Sequence, residues 1–175
     1  SNPTILIEEY IANMNDSNIA DYIDKDTTLK VSEFESKADI CNIIKKTIAS
    51  YDITYEKKKD EYASNSPVYE LKCHNNAFAK IKLTTEDRKS DYGFNIWKID
   101  SISFSDYVNS DKYVIISALD TVKVTVNGIQ VSNQYIQTGS VQTEFADEIK
   151  QYTGRTTSYV KYKVDKLYSI PEVKA

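Results

Sequence analysis

SKADICNIIKKTIASYDITY, residues 36–55, contains the change of period that decides the fold. Its first part places Ile40, Cys41, Ile43, Ile44 and Ile48 at three- and four-residue spacing, which gives a helix one apolar face. From Tyr51 the period drops to two, with Tyr51, Ile53 and Tyr55 alternating with polar residues as in a half-buried strand. Helical pattern before this switch and strand pattern after it predict an α+β architecture, with helices packed on one face of an antiparallel sheet.

Upstream, Asn2 can cap a helix and Pro3 suits its first position. Leu6, Ile7, Tyr10, Ile11 and Met14 form its apolar face until Asn15-Asp16 breaks the pattern. Asp16 or Ser17 caps a second short helix carrying Ile19, Tyr22 and Ile23, and residues 27–34 read as a short strand. Downstream, a turn-rich stretch around Pro67 leads into a strand from Val68 to His74. Asn75-Asn76 reads as the next tight turn, because Asn tolerates positive φ. Ala77, Ala79, Ile81 and Leu83 then alternate with Phe78, Lys80 and Lys82. Thr85 to Ser90 reads as a charged turn, and Asp91 to Phe104 as a long closing strand.

The polar stretch 105–112 is the best boundary, giving an expected domain at 1–107 and a small β-rich module at 108–175. In the second part Tyr113 to Ala118 is an apolar strand. Val122, Val124 and Val126 alternate up to Asn127-Gly128, the strongest short hairpin signal, since both central residues need positive φ. Thr143 begins a short helix bearing Phe145, Ile149 and Tyr152, and Tyr159 to Leu167 returns to strand.

Residues 3–104, ending in GFNIWKIDSISF (93–104), resemble the NTF2-like, cystatin-like cone, in which a closing W-K-I-x-x-I strand is common. Trp97, Lys98, Ile99 and Ile102 carry that match. Residues 113–175 resemble small β-rich modules of envelope-anchored proteins of Gram-positive bacteria. The resemblance implies an extracytoplasmic place, with an anchor to membrane or lipid outside this sequence. It implies no activity, because this fold hosts enzymes and binding modules alike. It also implies a pocket between sheet and helices, for which Tyr10, Tyr22, Tyr55, Tyr69 and Trp97 are the candidate lining residues.

An isomerase or dehydratase using such a pocket needs a carboxylate in an apolar setting, where burial tunes its pKa. The inward-looking positions are instead mostly Ile, Leu, Ala and Trp, with Asp91 and Asp100 flanking or lying in the closing strand. His74 is the single histidine. Its neighbour Cys73 points to the opposite face of a strand and cannot pair with it as nucleophile and base. Cys41 and Cys73 fit no metal spacing and read as buried free thiols. Asp16, Asp21, Asp24 and Asp26 are the densest carboxylates but lack the alternation and glycine of a calcium loop. No cofactor motif is present, and four glycines build no phosphate loop.

Lys57-Lys58-Lys59 runs straight into Asp60-Glu61 and the net charge is −4. The basic breadth that a nucleic-acid or anionic membrane partner requires is missing. The Ser1-Asn2 start reads as a protease scar, with sequence expected beyond both ends. Fourteen tyrosines are the compositional oddity; exposed Tyr suits glycan or protein binding, while a β-rich fold also favours aromatics. The expectation from sequence is therefore a non-catalytic binding or spacer module of a cell-envelope protein. Its partner is a protein or a cell-wall component, and it acts as a monomer or dimer. A cone-pocket enzyme and a wall-glycan binder are the alternatives.

Overall fold

The computed structural model describes residues 2–137 and 158–175. The chain is mixed α+β and divides into two units. The first comprises residues 1–30 and 37–109, the second residues 31–36 and 110–175. The helix expected over 143–152 lies outside the described residues.

The first unit opens with three helices, α1 (Pro3–Ala12), α2 (Ile19–Asp24) and α3 (Lys37–Thr47). Asn2 caps α1, its side-chain oxygen accepting the Thr4 N–H at 3.1 Å, and Pro3 takes the first turn. Four strands follow as an antiparallel meander in the order β1 (Ile53–Lys57), β2 (Val68–Cys73), β3 (Asn76–Lys89) and β4 (Asn95–Ser103). Ile7, Ile19, Ile23, Ile40 and Ile44 from the helices are buried together with Leu71, Ala79, Ile81, Leu83 and Ile102 from the sheet. The two periods of the sequence thus meet in one core.

Several local expectations are corrected. The first hairpin turns at His74 and Asn75, both at positive φ, with Cys73 paired to Asn76; the expected turn lay one residue later. Strict alternation put Phe78 opposite Ala79, yet both are buried. The register shifts between Leu71, paired with Ala79, and Lys72, paired with Ala77, so Phe78 is the extra residue of a bulge. The stretch 85–89 is not a turn but the end of β3. The turn comes at Ser90–Phe94, where the Gly93 N–H donates to the Ser90 carbonyl at 2.8 Å, and β4 begins only at Asn95. Residues 27–34 form no strand. They make turns, and residues 31–36 belong to the second unit, inside the span assigned to the first from sequence.

In the second unit β5 (Lys112–Leu119) pairs antiparallel with β8 (Tyr159–Leu167). Val114, Ile116 and Ala118 oppose Val164, Tyr162 and Val160. A smaller sheet has the order β7 (Ile129–Gln130), β6 (Thr125–Val126), β9 (Val173–Lys174). Asn127 and Gly128, at φ of 51° and 81°, form the expected two-residue hairpin between Val126 and Ile129. The core joins Val124, Val126, Val131, Val160, Val164 and Leu167 to Phe34 from the inserted hexapeptide.

Candidate functional site

In the first unit, the turn after α3 and the start of β1 border a cleft of about 460 Å³, formed by Glu8, Ile11 and Ala12 of α1 with Tyr51, Ile53, Thr54 and Tyr55. The local backbone explains why Tyr51 sits at its rim. α3 stops without a glycine: Tyr51 adopts a φ of 53°, and its N–H donates to the Ile48 carbonyl at 2.8 Å. A left-handed non-glycine residue costs on the order of 1–2 kcal/mol, so the surroundings hold it in place. Tyr51 Oη reaches Asp16 Oδ1 at 3.5 Å, and Lys45 Nζ pairs with the same carboxylate at 3.4 Å. Across the cleft Tyr55 Oη donates to Glu8 Oε1 at 2.6 Å. That bond, followed by burial, raises the Tyr55 pKa above the ordinary phenol value. The result is an open groove with an apolar floor, two tyrosine edges and one carboxylate.

Beside this rim lies a polar knot. Ser50 Oγ sits 2.9 Å from His74 Nε2 and 3.3 Å from Cys73 Sγ, and it accepts the Asp52 N–H at 3.4 Å. Asp52 Oδ2 approaches the same His74 nitrogen at 3.8 Å. A serine–histidine–carboxylate unit needs the carboxylate on the other ring nitrogen, where it orients the base. Here both acid and hydroxyl converge on Nε2, and the His74 and Asp52 side chains are 67% and 76% exposed. The knot braces the first hairpin turn against the end of α3. The Ser50–His74 meeting spans 24 positions of sequence. No local pattern announces it, because His74 leaves the strand at the turn.

Four of the five lining candidates read from sequence form two tyrosine pairs. Tyr10 and Tyr22 stack edge to face at 4.9 Å, and Tyr22 Oη donates to the Tyr10 carbonyl. Tyr10 also borders a second cleft, of about 380 Å³, with Lys25, Thr27 and residues 99–102. Tyr55 and Tyr69 pack edge to face at 5.8 Å, and Tyr62 meets Tyr69 from another side at 5.7 Å. Tyr22 and Tyr69 are core residues, whereas Tyr55 borders the α1–β1 cleft. Trp97 is half-buried on β4 opposite Thr85.

Among the described residues one carboxylate is buried, Asp26, at 1% exposure. In the sequence it stands out only as one of the four neighbouring acids Asp16, Asp21, Asp24 and Asp26. Its Oδ2 accepts the Phe104 N–H at 2.7 Å, and its Oδ1 accepts both the Thr28 N–H at 2.8 Å and the Thr28 hydroxyl at 2.6 Å. Thr28 Oγ1 continues to Ser103 and Ser105 at 3.1 and 2.8 Å. These bonds tie the chain after α2 to the end of β4.

Among the described residues no group of three or more His, Cys, Asp or Glu side chains is placed to hold a metal ion. Cys41 and Cys73 are buried and free. Lys57 lies over the Tyr62 ring at 4.6 Å, and Lys58 pairs with Asp60 at 3.2 Å. Lys80 is held between Glu61 at 2.9 Å and Asp106 at 2.8 Å. These three lysines are each engaged by neighbours within the unit. No helix among the described residues is long and apolar enough to cross a membrane.

The fold and site define a two-unit α+β protein with an aromatic-edged surface cleft. Comparison with family models, curated proteins and solved structures found no match to this chain.

Proposed function

We propose that the chain is a non-catalytic recognition module of a cell-envelope protein, and that it binds through the cleft between α1 and β1. The observation that carries this reading is the pairing of Tyr55 with Glu8 above a floor of Ile11 and Ile53. An aromatic edge beside a carboxylate acceptor stacks against a sugar ring or an apolar side chain while hydrogen-bonding its polar groups. The order of three helices and a four-stranded meander supports an NTF2-like arrangement for the first unit. An extracytoplasmic location, with an anchor elsewhere in the protein, goes with that reading.

A binding role suits this site better than catalysis. Asp26, the buried carboxylate, already accepts three hydrogen bonds from neighbouring groups and is committed to the fold. The Ser50–His74 pair has its carboxylate, Asp52, on the same ring nitrogen as the hydroxyl, and among the described residues no ion pair is made by the far one.

Wall glycan is the occupant of this reading, since the Tyr55 edge and the Glu8 carboxylate suit the faces and hydroxyls of a sugar ring. Retention on purified cell-wall glycan tests the proposal. Tyr55→Ala is expected to weaken retention about tenfold, the scale of one aromatic hot spot. Glu8→Gln is expected to weaken it less. Retention that ignores both substitutions sinks the cleft as the site. Turnover of a metabolite that depends on cleft residues sinks the non-catalytic reading.

A further inference from the structure

Residues 31–36 lie far in sequence from the rest of the second unit and have no regular secondary structure. The chain leaves the first unit after Lys30 and rejoins it at Lys37. Within the second unit this hexapeptide is held as a bound peptide is held. Phe34 is 3% exposed among Val124, Val126, Val131, Val164 and Leu167, and the Tyr135 ring meets it edge to face at 5.1 Å. Glu33 accepts the Tyr135 hydroxyl. The Phe34 carbonyl accepts Asn127 Nδ2–H at 2.9 Å. Glu35 is gripped most fully. Its carboxylate accepts the Tyr168 N–H at 2.9 Å, and the Ser169 N–H and Ser169 hydroxyl at 3.0 Å each.

Each part of that grip reads one chemical feature. A valine-lined pocket with an aromatic wall takes a phenyl ring. Two successive backbone N–H groups and a hydroxyl take a carboxylate, as backbone nests do. A carboxamide takes the main-chain carbonyl between them. Asn127 is itself fixed: its N–H donates to the Glu172 carbonyl at 2.8 Å, and its Oδ1 accepts the Glu172 N–H at 2.9 Å.

We propose that the second unit carries a recognition groove for a turn-forming acidic–aromatic–acidic peptide, and that Val31–Ser36 of this chain, closed by the Glu35 N–H donating to the Ser32 carbonyl at 3.3 Å, is its resident ligand. The groove is separate from the α1–β1 cleft, and the proposal does not rest on the function assigned to that cleft. A segment of the same chemistry supplied from outside fills the groove when the resident one is disabled.

The test uses the full chain with Phe34→Ala and Glu35→Gln, followed by hydrogen exchange. Amides of β6 and β8 are expected to exchange roughly a hundredfold faster, the scale of truncating a buried Phe, while those of β3 keep their protection. Adding a capped hexapeptide VSEFES restores protection in β6 and β8. The same peptide with glutamine in place of its second glutamate restores it more weakly. Glu35→Gln alone is the milder variant and shows a smaller loss in the same strands. Unchanged exchange in β6 and β8 overturns the proposal, as does equal loss in β3. Failure of the peptide to restore protection, or equal rescue by the glutamine peptide, overturns it too.

Discussion

Asp26 shows how one residue stabilises this fold. It is a buried carboxylate with three donors aimed at it, and it joins the end of α2 to the end of β4. Removing the acceptor leaves buried N–H groups without a partner. Asp26→Ala is therefore expected to lower unfolding free energy by about 3 kcal/mol, and Asp26→Asn by less, since the amide oxygen still accepts. Urea denaturation measures both; an Asp26→Ala variant as stable as the parent contradicts this role of Asp26.

The tyrosines make a second prediction at this scale. Burial, then Tyr22, pushes Tyr10 up to about 12. Burial followed by the bond with Tyr62 raises Tyr69, and burial followed by the bond to Glu70 raises Tyr107. Unfolded tyrosine ionises near 10, so above that pH the unfolded chain loses its protons first. The stabilisation is complete below about pH 10 and is lost as pH rises toward about 12. Melting temperature is expected to fall across that interval, together with a cooperative rise in tyrosinate absorbance. Smooth, independent ionisation of these phenols in the folded protein contradicts the prediction.

At the scale of elements, turns decide register. Asn127 and Gly128 both occupy left-handed backbone. A Cβ on Gly128 would meet nothing within 4 Å, so Gly128→Ala isolates the backbone cost, expected at about 1 kcal/mol. Asn127→Ala also removes the bonds to Phe34 and Glu172 and is expected to cost about twice as much. Thermal denaturation of the two variants checks the order; a reversed order means the turn, not its side-chain bonds, dominates. This hairpin was legible because Asn-Gly between alternating valines has few other uses. The first hairpin was misplaced by one residue because His74-Asn75 and Asn75-Asn76 are both credible left-handed pairs. The burial of Phe78 was missed because a bulge leaves no mark on a sequence that otherwise alternates. β8, at 159–167, was readable from its alternation alone.

At the scale of the whole molecule, the mixed α+β class was legible because the helical and strand periods occupy separate stretches of chain. The membership of residues 31–36 was not. Glu33-Phe34-Glu35 alternates like a strand, and only packing against residues about a hundred positions away gives it another role. The candidate cleft was half legible. Tyr55 was singled out from sequence, but Glu8 and Tyr51 reach it through the packing of α1 and the left-handed end of α3. Side chains brought together by tertiary contact carry no periodic signal, which is why the Ser50–His74 knot also escaped.

Recognition through the α1–β1 cleft is the function proposed for this protein. A residue-resolved NMR titration with soluble cell-wall glycan fragments tests that most directly. Saturable shifts are predicted at Glu8, Ile11, Tyr51, Ile53 and Tyr55, weakened about tenfold in the Tyr55→Ala protein. Shifts confined to other surfaces, or no saturable shift at the cleft, would contradict it.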